Sequence, residues 1–351
     1  MPCPRFSFGS RKDNMNRTPQ WNDRLFDEGI GIVKREGAEN GFRMAILALY
    51  EQQTQNWPAL AEIVQKLENA SSRTVPLDGR KLRLQHNPAR IINVNAPTSA
   101  REVAERPCPL CPPNMPSAQK ALPFLNQWLV VCNPLPLFKQ HFVLVSEEHT
   151  PQCSANILPA MIEFTRLTGF TTLYNGPRSG ASIPDHLHLQ AAPPGCLPIE
   201  EQLPQMDGSG IVVDSRLPRR IFLDASDTVR ACHLFERTLV VLDEFKMDGT
   251  DSEPGMNIAV TASGVNHPSL VAVHPRIKHR PQCFYARDEA RYVVSPGSAD
   301  MAGMLILPRQ EDYERLDGPK VESIFREVCL QDEQLASARK NLQPKIQSDE
   351  T

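Results

Sequence analysis

The residues most suited to chemistry lie in one short segment, His186-Leu187-His188-Leu189-Gln190. On an extended strand, side chains alternate between the two faces. His186, His188 and Gln190 then share one face, while Leu187 and Leu189 are free to bury against a helix. Imidazole is a good nucleophile near neutral pH and leaves readily once phosphorylated on nitrogen. The bland alternative is a half-buried strand with an ordinary polar face. Two histidines and a glutamine in this alternation make that the weaker reading.

Directly upstream runs Asn175-Gly176-Pro177-Arg178-Ser179-Gly180-Ala181-Ser182. Its glycines let backbone N–H groups approach a ligand, and its Asn, Arg and Ser add donors, as in a phosphate-cradling loop. Alone, such a stretch reads as a surface turn. Placed before the histidine segment, it joins phosphate donors to a nucleophile, which nucleotidyl transfer needs together.

Cys108-Pro109-Leu110-Cys111 sets two thiols at a spacing common in tetrahedral zinc sites. His149, closing an apolar strand, and His186 complete a four-ligand set, with His141 as a rival third ligand. Such a zinc would tie the cysteine loop to the sheet beneath His188, a structural role and not Lewis-acid catalysis. A free or redox-active cysteine pair is the competing reading, but no thioredoxin-like βαβ pattern surrounds it.

The elements that must position these groups are legible from periodicity and turn residues. Asn40–Asn69 reads as helical, with Pro58 opening a second helix. Lys81–Asn95 turns strand-like. Strands are expected over Gln127–Phe138 and His141–His149, with Asn133-Pro134 as a turn, then a helix over Asn156–Thr168 and strands over Gly169–Gly176 and His186–Pro193. From about Ser215 the pattern resumes: a helix over Asp227–Phe245, a loop over Met247–Pro254, and strands over Gly255–Val260 and Ser269–Pro275. His149-x-Pro151-Gln152 is echoed by His279-x-Pro281-Gln282, which points to an internal repeat. The expected fold is α+β, two halves each with an antiparallel sheet and packed helices. Residues 1–20 read as a flexible tail, 21–214 as the catalytic half, 215–330 as the C-terminal half and 331–351 as a polar tail.

The 351 residues are 40% hydrophobic, with a formal net charge of −3. The chain can bury a core, and no basic excess calls for a nucleic-acid backbone as partner. No run of about 18 apolar residues reads as a membrane span, and the start lacks the apolar region of a secretory signal. Nine scattered cysteines do not make a disulfide framework, so a reducing cytoplasm is expected.

At this point the residues resemble a family. Cys108-Pro-Leu-Cys-Pro-Pro-Asn114 is similar to the cysteine element of galactose-1-phosphate uridylyltransferases. Gln85-His-Asn-Pro-Ala-Arg-Ile91 resembles the arginine-bearing segment before it, and Val130–Phe138 the Asn-Asp-Phe-Pro strand end. Asn175–Gln190 is closer to the diadenosine tetraphosphate phosphorylase (ATP adenylyltransferase) branch. Both belong to the histidine-triad superfamily. His274–Tyr285 and Ser295–Arg309 resemble an uncharacterised bacterial family.

The resemblance implies two histidine-triad-like halves and a role for each position. His188 would attack the α-phosphorus, Gln190 would hold the phosphoryl oxygens, and His186 would ligate zinc or orient the nucleophile. Asn175, Gly176, Ser179, Gly180 and Ser182 would hold phosphates, and Arg90 and Asn133 the nucleotide. Lys278, in the basic cluster Arg276-Ile-Lys-His-Arg280, is a further phosphate candidate. Two features depart from the uridylyltransferase pattern: Ser182 lies four positions before His186, and Asp185 replaces a proline. The expected activity is a dinucleoside polyphosphate phosphorylase using a nucleotidyl-histidine intermediate, with structural Zn2+, a phosphate or sugar-phosphate acceptor and a possible homodimer. The alternatives are a nucleoside-diphosphate-sugar phosphorylase or hexose-1-phosphate uridylyltransferase, a non-catalytic nucleotide-binding protein, or a zinc-stabilised interaction module.

Overall fold

The computed structural model describes residues 19–94, 100–262 and 269–342. Its strands are β1 (Ser72–Leu77), β2 (Arg80–His86), β3 (Ala121–Phe124), β4 (Trp128–Cys132), β5 (Phe142–Ser146), β6 (Thr171–Asn175), β7 (His188–Ala192), β8 (Ile211–Asp214), β9 (Arg220–Asp224), β10 (Met256–Thr261), β11 (Leu270–Pro275) and β12 (Met304–Leu307). Nine form one antiparallel sheet in the order β3-β4-β5-β7-β6-β10-β11-β9-β8. The fold is α+β as expected, and the sheets of the two halves join edge to edge where β6 pairs with β10.

The repeat is visible in this order. β4, β5, the helix Leu158–Thr168, β6 and β7 recur as β8, β9, the helix Thr228–Leu242, β10 and β11, and their spatial orders mirror each other across the β6–β10 seam. The His-x-Pro-Gln echo does not mark this repeat. Its first copy follows β5 and its second follows β11, which are not equivalent strands. The division expected near Ser215 falls in the β8–β9 hairpin.

Local chemistry sets the helix ends. Gly169, at φ 74°, closes Leu158–Thr168, and the Asp227 side chain caps Thr228–Leu242 by accepting from Arg230 N at 2.7 Å. Pro58 opens a second helix as expected, so the helical stretch runs as Asp27–Asn56 and Pro58–Glu68. Among the described residues, no helix is long and apolar enough to cross a membrane.

Strand alternation builds three layers. Leu189, Ala191, Leu223 and Val273 face the helices in the main core. Leu173, Ala192, Phe222 and Ala272 face the other way, onto Met304 and Ile306 of β12. That strand belongs to a small sheet, β1-β2-β12, and it turns Leu305 and Leu307 to a further core beneath the helix Gly318–Val328. His188 and Gln190 alternate with Leu189 and Ala191, so they face this second layer and not the helices.

The stretch after 330, expected as a polar tail, instead carries the helix Asp332–Leu342. Leu335, Ala338 and Leu342 are buried in the main core, and the mostly polar remainder hides that apolar stripe in the sequence. Leu335→Ala should therefore lower unfolding free energy by about 2–5 kcal/mol in urea titration. An unchanged midpoint would mean the segment is the expected tail.

Candidate functional site

His188 begins β7, and β5 and β6 flank it on either side. The segment before it is not yet a strand and is held by long-range bonds. Leu187 N donates to Thr150 O at 2.7 Å, and Ser146 N donates to Leu187 O at 3.0 Å. Gln152 fills the gap between β6 and β7. Its Nε2 donates to Asn175 O (3.0 Å) and His188 O (2.9 Å), and its Oε1 accepts from His188 N (2.9 Å).

The His188 ring makes one bond, from Nδ1 to the carbonyl of His186 at 2.8 Å. A carbonyl only accepts, so Nδ1 carries the proton and Nε2 is the free lone pair. Burial pushes the ring down to about 4, which keeps it neutral and nucleophilic at pH 7. His188 and Gln190 line a cavity of about 540 Å³, within the range of small-molecule sites. Its lining includes the apolar Leu110, Val131, Leu135, Val143 and Ile183 and the polar Arg90, Asn133, Asn175, Ser182 and Gln190. Arg90, Asn175, Gly180, Ser182 and Gln190 also border a small polar recess completed from the second half by Ser295, Ser298 and Asp300.

Two relays set the polarity of the amides facing this cavity. Leu137 N donates to His141 Nδ1 (3.0 Å), so His141 must donate from Nε2 to Gln190 Oε1 (3.0 Å). That leaves the Gln190 NH2 for the cavity. On the other side, Arg276 has only donors, so its 2.6 Å contact assigns Oδ1 of Asn257. The Asn257 NH2 then donates to Asn175 Oδ1 (2.9 Å) and Ser179 O (2.5 Å). Ser298 N also donates to Asn175 Oδ1 (2.7 Å), which turns the Asn175 NH2 to the cavity.

The cysteine loop lies beside the histidine segment. Cys108 Sγ is 3.3 Å from His186 Nδ1, and Cys111 Sγ is 3.2 Å from His149 Nδ1 and 3.7 Å from His186 Nδ1. All four ligand atoms lie within 4.8 Å of one another. A tetrahedral zinc spaces sulfur and nitrogen ligands by about 3.6 Å, so the donor set fits such an ion. Outer partners are in place as well. His186 Nε2 donates to Ser146 O at 2.9 Å, and His149 Nε2 lies 3.9 Å from Asp185, which Arg106 pairs at 2.5 Å. Burial pushes the Cys108 thiol up to about 11, and only a bound cation would make thiolates tenable there. His141, the rival ligand, belongs instead to Gln190.

Other expected site residues divide. Arg90 lines the cavity and donates to Leu135 O at 3.1 Å. Asn133 lines it too, and its Oδ1 accepts from Leu135 N at 2.9 Å. Gly180 is at φ 93°, and a Cβ there would sit 2.7 Å from Gly297 Cα, so the loop needs glycine where the halves meet. Gly176 and Ser179 do not face the cavity. They form the turn itself, with Ser179 N bonded to Gly176 O and the Ser179 side chain fully buried. Lys278 is also a correction: it pairs with Glu327 at 2.8 Å and lines neither the cavity nor the recess, because its neighbour Arg276 turns inward. Sequence reasoning left out Gln152, Asn257 and Ser298 as site residues. Gln152 appeared there only as part of a repeat. Asn257 and Ser298 lie 82 and 123 positions from Asn175, too far for a local signal.

With this geometry in hand, comparison places the fold. A family model described as a domain of unknown function, DUF4922, matches residues 49–193, the half containing the cysteine loop and β7. No curated protein sequence matches the chain. The structure is similar to crystal structures of yeast Ap4A phosphorylase Apa2. One aligns with TM-score 0.51 and 16% identity over 78% of this chain and 97% of that one. The complex with AMP aligns with TM-score 0.51 and 18% identity over 81% and 97%. The chain therefore has the Apa2 fold over nearly all of that enzyme's length.

His141 generates a pH prediction. Burial and the Arg90 charge push it down to about 3, against 6.5 unperturbed. A lowered folded-state pKa means the unfolded chain takes up this proton first, so stability present above pH 6.5 is lost as pH falls toward 3. Between pH 7 and pH 5 this one group should remove about 2 kcal/mol. Denaturant titrations of His141→Gln should show a loss smaller by about that amount. Equal losses in the two proteins would mean His141 titrates normally.

Proposed function

We propose that this protein is a nucleotidyltransferase working through a nucleotidyl-histidine, acting as a dinucleoside polyphosphate phosphorylase. The observation that carries the reading is His188: Nδ1 is committed to a carbonyl and Nε2 faces a large half-apolar cavity beside the NH2 of Gln190. A nucleoside suits the apolar lining, and its polyphosphate suits the donors. The likeness of fold to an Ap4A phosphorylase supports the choice within this class.

In the first step Nε2 bonds to the α-phosphorus and the P–O bond to the leaving nucleoside polyphosphate breaks. The proton on Nδ1 stays shared with His186 O, which stabilises the cationic ring that forms. In the second step an inorganic phosphate oxygen bonds to the same phosphorus and the P–N bond breaks, freeing a nucleoside diphosphate and restoring His188. A dinucleoside tetraphosphate and phosphate thus become a nucleoside triphosphate and a nucleoside diphosphate. The amides of Gln190 and Asn175 would meet charge on the phosphoryl oxygens, and their fixed polarity means little reorganisation in the transition state.

Intact-protein mass spectrometry tests this after incubation with dinucleoside tetraphosphates and nucleoside diphosphate sugars. The expected result is a mass gain of one nucleoside monophosphate, discharged by phosphate and absent in His188→Ala, whose turnover should fall by at least about 10³-fold. No adduct, together with unchanged turnover in His188→Ala, would overturn it.

We further propose Zn2+ at Cys108, Cys111, His149 and His186, where it would fix the loop that contributes to the apolar lining and the residue whose carbonyl holds His188. Elemental analysis should find about one zinc per chain, lost in Cys111→Ser with a lower melting temperature. Metal-free protein whose melting is indifferent to chelation would refute it.

A further inference from the structure

The seam between the halves continues into the second half as a buried basic row. Asn257 faces Asn175 across one ladder and His274 across the next. One step beyond the Val273–Ile221 pair, His274 lies beside Arg220, which in turn faces Asp214. Partners across a ladder share a face, and Arg276, two residues after His274, shares it too. This is the face turned to the small sheet. His274 and Arg220 are fully buried and Arg276 is 1% exposed.

Charge here does not balance. Asp214 is taken by Arg80 and Arg216. Arg219 pairs with Asp332. Arg220 makes one bond, from Nη2 to Gln202 Oε1 at 2.9 Å, and its Nε and Nη1 have no partner. Arg276 bonds Asn257 Oδ1 and the carbonyls of Pro296, Lys278 and His279, which leaves Nε unpartnered. Neither ring nitrogen of His274 has a side-chain partner, and only the Arg219 backbone favours its charged form. Among the described residues, no carboxylate hydrogen-bonds either Arg220 or Arg276. Asp300 acts on Arg276 only through space, its two oxygens being held by Gly297 N and Ile306 N. Cys329 lies near Arg276, Arg219 and Arg220, but burial keeps its thiol above the ordinary range, so it supplies no negative charge.

A buried guanidinium without a full set of acceptors is strongly unfavourable, and this row buries Arg220 with one acceptor and Arg276 with an acidic group acting only through space. We propose that Arg220, His274 and Arg276 enclose a tetrahedral oxyanion of the phosphate or sulfate type, bound between the two sheets and separate from the His188 cavity. Three guanidinium nitrogens without a partner, two on Arg220 and one on Arg276, belong to the two arginines whose charges act on the His274 ring. A ligand with several acceptor oxygens can meet donors spaced by a strand separation of about 5 Å, and a single halide cannot. His274 can donate to such an anion, which offsets the penalty that burial and the neighbouring arginines impose on a charged ring. Because Arg276 also holds Asn257, the anion would stiffen the relay that aims Asn175.

The site is closed to solvent, so its ion should be released on unfolding. The test takes full-length protein, desalted into buffer free of phosphate and sulfate, denatures it and analyses the released anions by ion chromatography. Wild type and His188→Ala should each release about one equivalent of phosphate or sulfate, and Arg220→Met almost none. The identity of the released ion distinguishes the two sources. A second arm uses protein unfolded and refolded without oxyanions. Adding about 5 mM phosphate or sulfate, below the range of general salting-out stabilisation, should raise its melting temperature by several degrees over chloride at equal ionic strength. This arm needs only wild type, so a poorly folding Arg220→Met does not block it. Release of no oxyanion, with equal melting in all three anions, would show that water alone fills the row and would overturn the proposal.

Discussion

One hydrogen bond organises the centre of this molecule, that from His188 Nδ1 to the carbonyl of His186. It selects the tautomer, and with it the one ring nitrogen that keeps a free lone pair. A backbone carbonyl is a dependable acceptor only if its peptide cannot rotate. Here the His186 ring stands among Cys108, Cys111 and His149 on one nitrogen and bonds Ser146 O with the other. The next residue is bonded on both sides of its peptide, to Thr150 O and Ser146 N. The cysteine loop and the His188 ring are thus two ends of one braced unit. This is why a cysteine pair some 80 positions upstream matters to a histidine it does not touch.

The same logic sets the donors. An amide side chain is ambiguous by shape, and its orientation must come from a neighbour that can do only one thing. His141 can only donate to Gln190, because Leu137 N already occupies its acceptor nitrogen. Arg276 can only donate to Asn257, and the polarity passes to Asn175. In both relays the last group before the cavity is an NH2. Donors held in this way need no turning to meet an acceptor oxygen in the cavity. The buried polar groups, unfavourable as core, make sense as the means of fixing direction.

Much of the site was legible because its key elements are local. Cys108 and Cys111 carry their spacing in the sequence, the histidine segment carries its alternation, and Gly180 announces a turn. Element types around them followed from period and punctuation, as with Pro58. Long-range pairings were not legible. Nothing near Asn257 or Ser298 tells that they would reach Asn175. Lys278 and Arg276 stand two apart with the same charge, yet Arg276 is buried against Asn257 and Pro296 while Lys278 reaches out to Glu327. The helix Asp332–Leu342 escaped notice because three buried residues in eleven leave a composition like that of a tail.

The two halves share a plan but not a task, and the geometry of the seam explains how both serve one site. β7 and β11 are equivalent strands that run antiparallel across the sheet. A polar residue at the start of β7 therefore falls in the same transverse row as one near the end of β11. His188 and His274 occupy those places, with Asn175 and Asn257 between them. Strict symmetry would have put the counterpart of His188 near the beginning of β11, at the opposite margin of the sheet. Displacing polarity along β11 instead concentrates it at one margin, on the face covered by the small sheet, where residues of the second half can brace groups of the first. Fusion into one chain is what permits this, since in a symmetric pair any residue gained at one margin is repeated at the other.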